Sequence, residues 1–400
     1  MVTEKPPRQR TCLLYAALAA LLVLLWQTLS VQFNYGGNWT ALFYTGDARP
    51  LPPELGGKTY VFKGSDGYDG QFYRYVAHDP LFQRGAWKYI DIPEHRYRRI
   101  LVPGLAWLLA CGQPRFIDGA YVVIVLLFVF VGAYWLSRYA LFHAQHPAWG
   151  VGFAFVPATL ISMDRMTVDV SLAALCVGFA WYARKGSLGR LWGVVALAAF
   201  TREIGFLLAA AACGHALWNR RWRRALLFAA AVLPALLWYW FVSDHLQGVP
   251  PPAKAGLVPA WMFEYPLVGI VLKLFHPEHY PLGPAALLVA RVIDVLALLG
   301  ILLALGLALW RLRRWRWDEE TTAMLLFAGL TIAVSAPAFW KDVSGYARII
   351  TPLLLLVGLR AVSGGPVWRL LPILLVDLRI GVLLGSKALS ILHSILRPAL

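Results

Sequence analysis

Residues 12–31 hold no charged side chain, and about 20 apolar residues is what an α-helix needs to cross the ~30 Å hydrocarbon layer of a bilayer. Long apolar runs recur to the end of the chain. Apolar residues make up 59% of the 400 and charged ones 14%, well outside the balance of a soluble globular domain. Backbone polar groups in hydrocarbon must pair within their own segment, which leaves helices as the means of crossing for runs of this length. The expected fold is all-α and polytopic. The first run is too long for a signal-peptide core and lacks a small-residue cleavage pattern, so it is expected to be retained as a span. Basic residues before it place the N-terminus in the cytoplasm.

The formal charge of +16 fits a membrane protein that concentrates Lys and Arg in cytoplasmic loops; no nucleic-acid partner is expected. Cys12, Cys111, Cys176 and Cys213 form no CxxC pair and read as small core residues. Residues 33–118 differ from the rest, since eight of the 21 acids fall there: Asp47, Glu54, Asp66, Asp69, Asp79, Asp91, Glu94 and Asp118. This is the expected first extracytoplasmic loop. Its apolar segment 100–111 is too short to cross and is expected to form a juxtamembrane helix.

If that segment does not cross, about 11 spans follow: 12–31, 119–140, 149–163, 168–183, 191–199, 204–218, 225–242, 286–310, 321–340, 349–359 and 367–384, the last left open. Arg138, Arg184 with Lys185, the 220–224 cluster and the 311–316 cluster then all lie inside; the opposite choice puts three of these four outside. The chain divides into a cytoplasmic N-terminus and first span (1–32), the first outer loop (33–118), a transmembrane core (119–243), a second outer loop (244–285) and C-terminal spans with a tail (286–400).

The remaining polar residues then gather on the outer face. Asp69 is expected to cap a short helix with Phe72, Tyr73, Val76 and Ala77 on one side, lying on the membrane surface with its carboxylate toward water. Asp66, in a Ser-Asp-Gly turn, is the alternative carrier of any function there. Asp164 beside Arg165 suggests a loop ion pair; Asp169 opens an apolar run outside any adjacent pair. Arg202 and Glu203 either pair with each other in a tight hairpin, or Arg202 faces an anion. Arg96, Arg98, Arg99, Lys341 and Arg348 are basic on the side that normally lacks them, which suggests a bound phosphate. Asp294 near Arg291, and Asp377 near Arg379, are expected to pair within their own helices. His276, Glu278 and His279 lie in a proline-flanked loop; no metal site is expected, a divalent cation being compatible with the residues but not indicated. No P-loop, GxSxG or dinucleotide fingerprint stands in its required context.

Taken in order along the chain, Gly-Tyr-Asp-Gly-Gln-Phe-Tyr at 67–73, Tyr-Arg-Arg-Ile-Leu-Val-Pro at 97–103, Asp169 after an apolar span, Thr-Arg-Glu at 201–203 and Tyr-Ala-Arg at 346–348 resemble the GT-C superfamily of polytopic bacterial glycosyltransferases. The resemblance implies a sugar donor carried on polyprenyl phosphate, a glycan or lipid acceptor, and a site facing the periplasm or exterior from the bacterial inner membrane, in cell-envelope glycan or glycolipid synthesis. It implies that Asp69 is general base or acceptor-positioning group; Asp66 and Asp169, by their placement, are the other candidate catalytic carboxylates. Arg202, Arg348, Lys341 and Arg99 would hold the donor phosphate, and Tyr68, Gln71, Tyr73, Glu203 and Tyr346 would line the cavity. A transporter or flippase would share the spans but should show charges deep in both halves of the bilayer and an internal repeat; a non-catalytic assembly protein would need none of the outer acids.

Overall fold

The computed structural model describes residues 6–248, 265–276, 283–314 and 317–396. The elements run α1 (Pro6–Asn34), a 3-10 helix (Trp39–Phe43), β1 (Thr45–Gly46), β2 (Val61–Phe62), α2 (Asp69–His78), α3 (Pro93–Arg98), α4 (Leu101–Leu109), α5 (Pro114–Phe142), a 3-10 helix (Pro147–Phe155), α6 (Pro157–Arg165), α7 (Asp169–Lys185), α8 (Leu188–Thr201), α9 (Phe206–Trp218), α10 (Trp222–Ala230), α11 (Leu233–His245), α12 (Val268–Phe275), α13 (Pro284–Trp310), α14 (Glu319–Ala333), α15 (Pro337–Lys341), α16 (Val343–Val362) and α17 (Leu371–Leu396). Among the described residues, five helical stretches are long and apolar enough to cross a membrane: Gln9–Asn34, Pro114–Phe142, Trp222–His245, Pro284–Arg313 and Val343–Val362. The described residues are all-α apart from the two-residue parallel pairing of β1 with β2.

One continuous apolar core joins α1, α5, α7, α8, α14 and α16; a smaller one lies under the 39–110 region, where Phe72, Tyr75 and Val76 of α2 meet Ala86, Ile90, Tyr97 and Val242. Side chains fold that region by capturing its backbone. Asp47 accepts from the amides of Gly64 (3.0 Å) and Ser65 (3.2 Å), Asp79 from those of Gln83 (2.6 Å) and Ala86 (3.0 Å), and Gln71 Oε1 from Gly46 (3.2 Å) while its Nε2 donates to the Asp66 carbonyl (3.0 Å). These bonds supply what a sheet would otherwise provide.

Several expectations are corrected. The helix at 69–78 does not lie on a surface: every residue from Gly70 to His78 is buried. Phe72 and Val76 enter the smaller core while Tyr73 and Ala77 enter the large one. Nor does Asp69 cap it, since Tyr68 holds the cap position and Asp69 is the first helical residue. The span at 149–163 is a 3-10 helix followed by α6, broken where Pro157 begins a new helix. The span at 321–340 ends at Ala333, and Pro337 starts the separate α15. Asp294 pairs with Arg379 of α17, across helices rather than with Arg291, and Asp377 keeps a buried Oδ1 without a hydrogen-bond partner among the described residues. The segment 100–111 forms α4, nine residues long. The second outer loop lies largely outside the described residues, as do Glu278 and His279.

Gly70 lets α2 seat against α6: a Cβ there would sit 2.1 Å from the Arg165 carbonyl oxygen and 3.0 Å from that of Phe43. Gly70→Ala is therefore expected to destabilise the purified protein by about 1–3 kcal/mol or more, seen as a lowered melting temperature. Gly56→Ala, with nothing within 4 Å of the added carbon, should melt with the wild type. Equal melting of the two variants would show that α2 does not depend on this approach.

Candidate functional site

Three helix beginnings and two helix ends meet at one end of the bundle. Asp69 and Asp169 are each the first residue of their helix, α2 and α7, where the dipole favours negative charge. Arg96 and Arg99 come from the end of α3, Arg202 follows α8, and Arg348 lies near the start of α16. Arg348 joins the two carboxylates: its Nη2 donates to Asp69 Oδ2 in a very short contact and its Nη1 to Asp169 Oδ2 at 3.3 Å. Arg96 donates from Nη2 to Asp69 Oδ1 at 2.8 Å and to Asp91 at 2.7 Å. Arg202 closes tightly on Asp169 Oδ1.

A second half adjoins. Arg99 donates to Glu203 at 3.0 Å and to the Tyr73 hydroxyl at 2.8 Å, and Arg96 reaches the same hydroxyl at 3.3 Å. His95 contacts Arg99 through Nε2 and Glu203 through Nδ1 at 3.2 Å. Burial first, and then the Arg99 charge, hold its imidazole well below its ordinary pKa. A neutral ring that accepts from Arg99 at Nε2 must carry its proton on Nδ1 and donate it to Glu203. Arg202 and Glu203, adjacent in sequence, thus do not pair with each other; extended backbone at Arg202 (φ −162°) sends them to different partners.

Charge counting shows what this assembly can accept. Asp69, Asp91, Asp169 and Glu203 face Arg96, Arg99, Arg202 and Arg348, four against four. Every guanidinium is already committed to a carboxylate. Two further cations sit next door, with Asp342 also close by at the Tyr68 hydroxyl. Arg165 packs over the rings of Tyr68 (4.4 Å) and Tyr44 (5.0 Å), and its Asp164 neighbour, 3.7 Å away, is taken more closely by Lys387 at 2.6 Å. Two cations share one carboxylate there, among the rings of Tyr35, Tyr44 and Tyr68. The Asp164–Arg165 pair expected from sequence is the weaker of the two contacts.

Of the residues singled out from sequence, Asp69, Asp169, Arg99, Arg202, Glu203 and Arg348 come together. Tyr68 joins them, its ring under Arg348 at 5.1 Å and its hydroxyl donating to Asp342 at 3.3 Å. Tyr73 is fully buried between the two arginines, Gln71 is spent on the loop backbone, and Tyr346 is buried against Trp340. Asp66 and Lys341 are exposed, and the side chain of neither enters these pairs. Arg96, His95, Asp91 and Lys387 complete the assembly. Arg96 was visible only as one of a basic group, and Lys387 lay in the tail beyond the last expected span. No protein-family model, curated protein or solved structure matches the chain.

Burial pushes the Asp69 carboxyl up, but Arg348 and then Arg96 outweigh it and hold it well below the usual carboxylate range. Its folded pKa is therefore below the unfolded value of about 3.9, so its contribution to stability is complete above that value and lost as pH falls through the folded one. Melting temperature is expected to hold from about pH 8 to 5 and to fall below about pH 4. Asp69→Asn should be less stable near neutrality and lose less on acidification. A variant with the wild-type acid slope would place the titrating group elsewhere.

Proposed function

We propose that the chain is a polytopic glycosyltransferase of GT-C type, with about 11 spans, that moves a sugar from polyprenyl phosphate to an acceptor hydroxyl with inversion, on the extracytoplasmic face of a bacterial inner membrane. The observation that carries the reading is the convergence, at one end of an apolar bundle, of carboxylates and guanidiniums from five segments far apart in sequence. Ionisable groups at the margin of an apolar bundle are expensive to place, and this set has the two chemistries the transfer needs. A positioned carboxylate removes the acceptor proton as the hydroxyl attacks the anomeric carbon. Guanidinium groups take up the charge that gathers on the departing lipid phosphate.

The charge balance orders those roles. A carboxylate clasped by two arginines is a weak base, so Asp69 becomes effective when Arg348 turns to another anion. The donor phosphate is that anion, with Arg165 and Lys387, which share the one carboxylate of Asp164, as the place it docks. The phosphate docks beside Tyr44 and Tyr68, draws Arg348 toward itself across the Tyr68 ring, and leaves Asp69 held by Arg96 alone. Asp169 with Arg202 keeps the α7 and α8 ends in place.

A transporter is the second reading, and a specific observation favours it: buried charge occurs away from this end as well, in the Asp294–Arg379 pair between α13 and α17 and around Glu320. Incubating the purified protein with a polyprenyl-phosphate sugar and an acceptor extract separates the two, since only the transferase releases lipid phosphate. Asp69→Asn is expected to slow release by roughly a hundred- to ten-thousand-fold, with Asp66→Asn near wild type; the reverse pattern would assign the base to Asp66. Arg165→Gln should raise the donor KM with a smaller change in kcat, and Arg348→Ala should lower kcat. Unchanged kinetics in both arginine variants would remove the phosphate from this pocket.

A further inference from the structure

The chain reverses between α9 and α10, roughly 20 Å along α9 from the corner that holds Arg202 and Glu203. Arg220 takes left-handed backbone there (φ 55°), and the Arg221 amide donates to the Ala216 carbonyl at 2.8 Å, so one tight turn closes α9 and opens α10. Trp192 of α8 holds α10 in place by donating its indole N–H to the Leu227 carbonyl at 3.0 Å. The turn presents Arg220, Arg221, Arg223 and Arg224, all exposed. Among the described residues no side chain of the four enters an ion pair or hydrogen bond. Arg224 stands in the first turn of α10, against the helix dipole, so its charge does not serve that helix.

Arg221 and Arg224, three positions apart and so on one face, line a crevice between α10, the end of α9 and the α7–α8 turn. The rest of its lining is polar at Tyr182, His215 and Glu319 and apolar at Leu188, Leu191 and Phe228. Glu319, the one acid among the described lining residues, lies 3.5 Å from His215 Nε2. Its neighbours Asp318 and Glu320 are taken by Arg184 and Arg360. Two guanidiniums against one carboxylate leave the crevice positive. Its volume is about 60 Å³. One water takes roughly 10–15 Å³ in such a space, so about four to six heavy atoms fit, the size of a phosphate group. Outside the crevice Trp222 and Leu226 are exposed, and α10 opens the membrane-length stretch Trp222–His245. The arginines therefore stand where headgroups meet hydrocarbon.

We propose that this crevice seats the phosphate of an anionic membrane lipid, with Arg221 and Arg224 on its oxygens and the glycerol end of the lipid along Leu188, Leu191 and Phe228. Guanidinium groups match phosphate oxygens in a forked geometry. A basic loop beside a span accounts for attraction to an anionic surface in general; the crevice adds a place for one headgroup, built by two of the four arginines and not by the other two. The apolar lining and the start of a span at Trp222 favour a lipid over a free anion, to which they offer nothing. The site stands apart from the sugar-transfer reading and survives or fails independently of it.

Native mass spectrometry of the full-length protein in detergent, titrated with phosphatidylglycerol or phosphatidylcholine, tests it. The wild type is expected to bind phosphatidylglycerol the more tightly. Arg221→Gln with Arg224→Gln should weaken that binding roughly 30-fold, about five- to sixfold for each basic residue near a lipid surface, and leave phosphatidylcholine unaffected. Arg220→Gln with Arg223→Gln, outside the crevice, removes the same charge and should cost much less. Melting temperatures guard against misfolding, and each single Gln variant at 221 or 224 should show its share of the loss if the double does not fold. Equal binding of the two lipids by the wild type, or undiminished binding in the 221 and 224 variants, overturns the proposal. Equal losses in the two double variants would also overturn it, in favour of a diffuse basic surface, as would displacement of the lipid by millimolar inorganic phosphate, in favour of a free-anion site.

Discussion

The guanidinium of Arg348 holds the first residue of α2 to the first residue of α7, and the placing of the whole outer region follows from it. Almost all of α16 is buried by its neighbours, so a cation on that helix has no route to water along its own side chain. It must be answered by carboxylates brought to it, because a buried charge stripped of its partner costs about 3–5 kcal/mol. Asp169 arrives from within the bundle and Asp69 from the outer region. That pairing, more than apolar contact alone, fixes the depth and rotation of α2. Close approaches of Gly70 to Arg165 and of Gly205 to the Ala198 carbonyl then let backbone pack against backbone around the pairs.

Helix existence was legible where apolar runs are long. The stretches in α1, α5, α13 and α16 are long, and each holds an 18-residue apolar window with at most two charged residues. Boundaries failed where proline intervenes, at Pro157 and Pro337, because mean apolarity is blind to a missing amide donor. The depth of α2 was not legible either. Its sequence mixes Gln71, Arg74 and His78 with aromatic residues, the mark of a surface helix. All three are buried because each finds a partner from elsewhere in the chain: Gly46 for Gln71, and Asp118 for both Arg74 and His78, at 2.8 and 3.1 Å. Pairing of that kind is a tertiary fact.

The candidate site divides the same way. Which residues are unusual could be read from their placement beside apolar runs, and Asp69, Asp169, Arg202 and Arg348 meet. Which partner each takes could not. The sequence suggested neighbours, Arg202 with Glu203, Asp164 with Arg165, Asp294 with Arg291. In each case the closest described contact instead comes from another element; for the adjacent pairs Arg202–Glu203 and Asp164–Arg165, side chains next to each other on a helix or tight turn point to different faces. Ion pairs also form away from these residues, around Glu320. Arg348 and Arg360, 12 positions apart on α16, anchor separate clusters roughly 18 Å apart along the axis.

A saturated charge cluster behaves differently from a row of waiting cations. In a medium of low effective dielectric, neither Asp69 nor Arg348 can be left alone, so an incoming anion does not add to the cluster; it must exchange with a member. The exchange is inexpensive only if each displaced group retains another partner. Asp69 retains Arg96, and Asp169 retains Arg202. Arg348 can therefore be reassigned without stranding either carboxylate. Doubling of partners around both acids leaves each carboxylate paired when Arg348 moves.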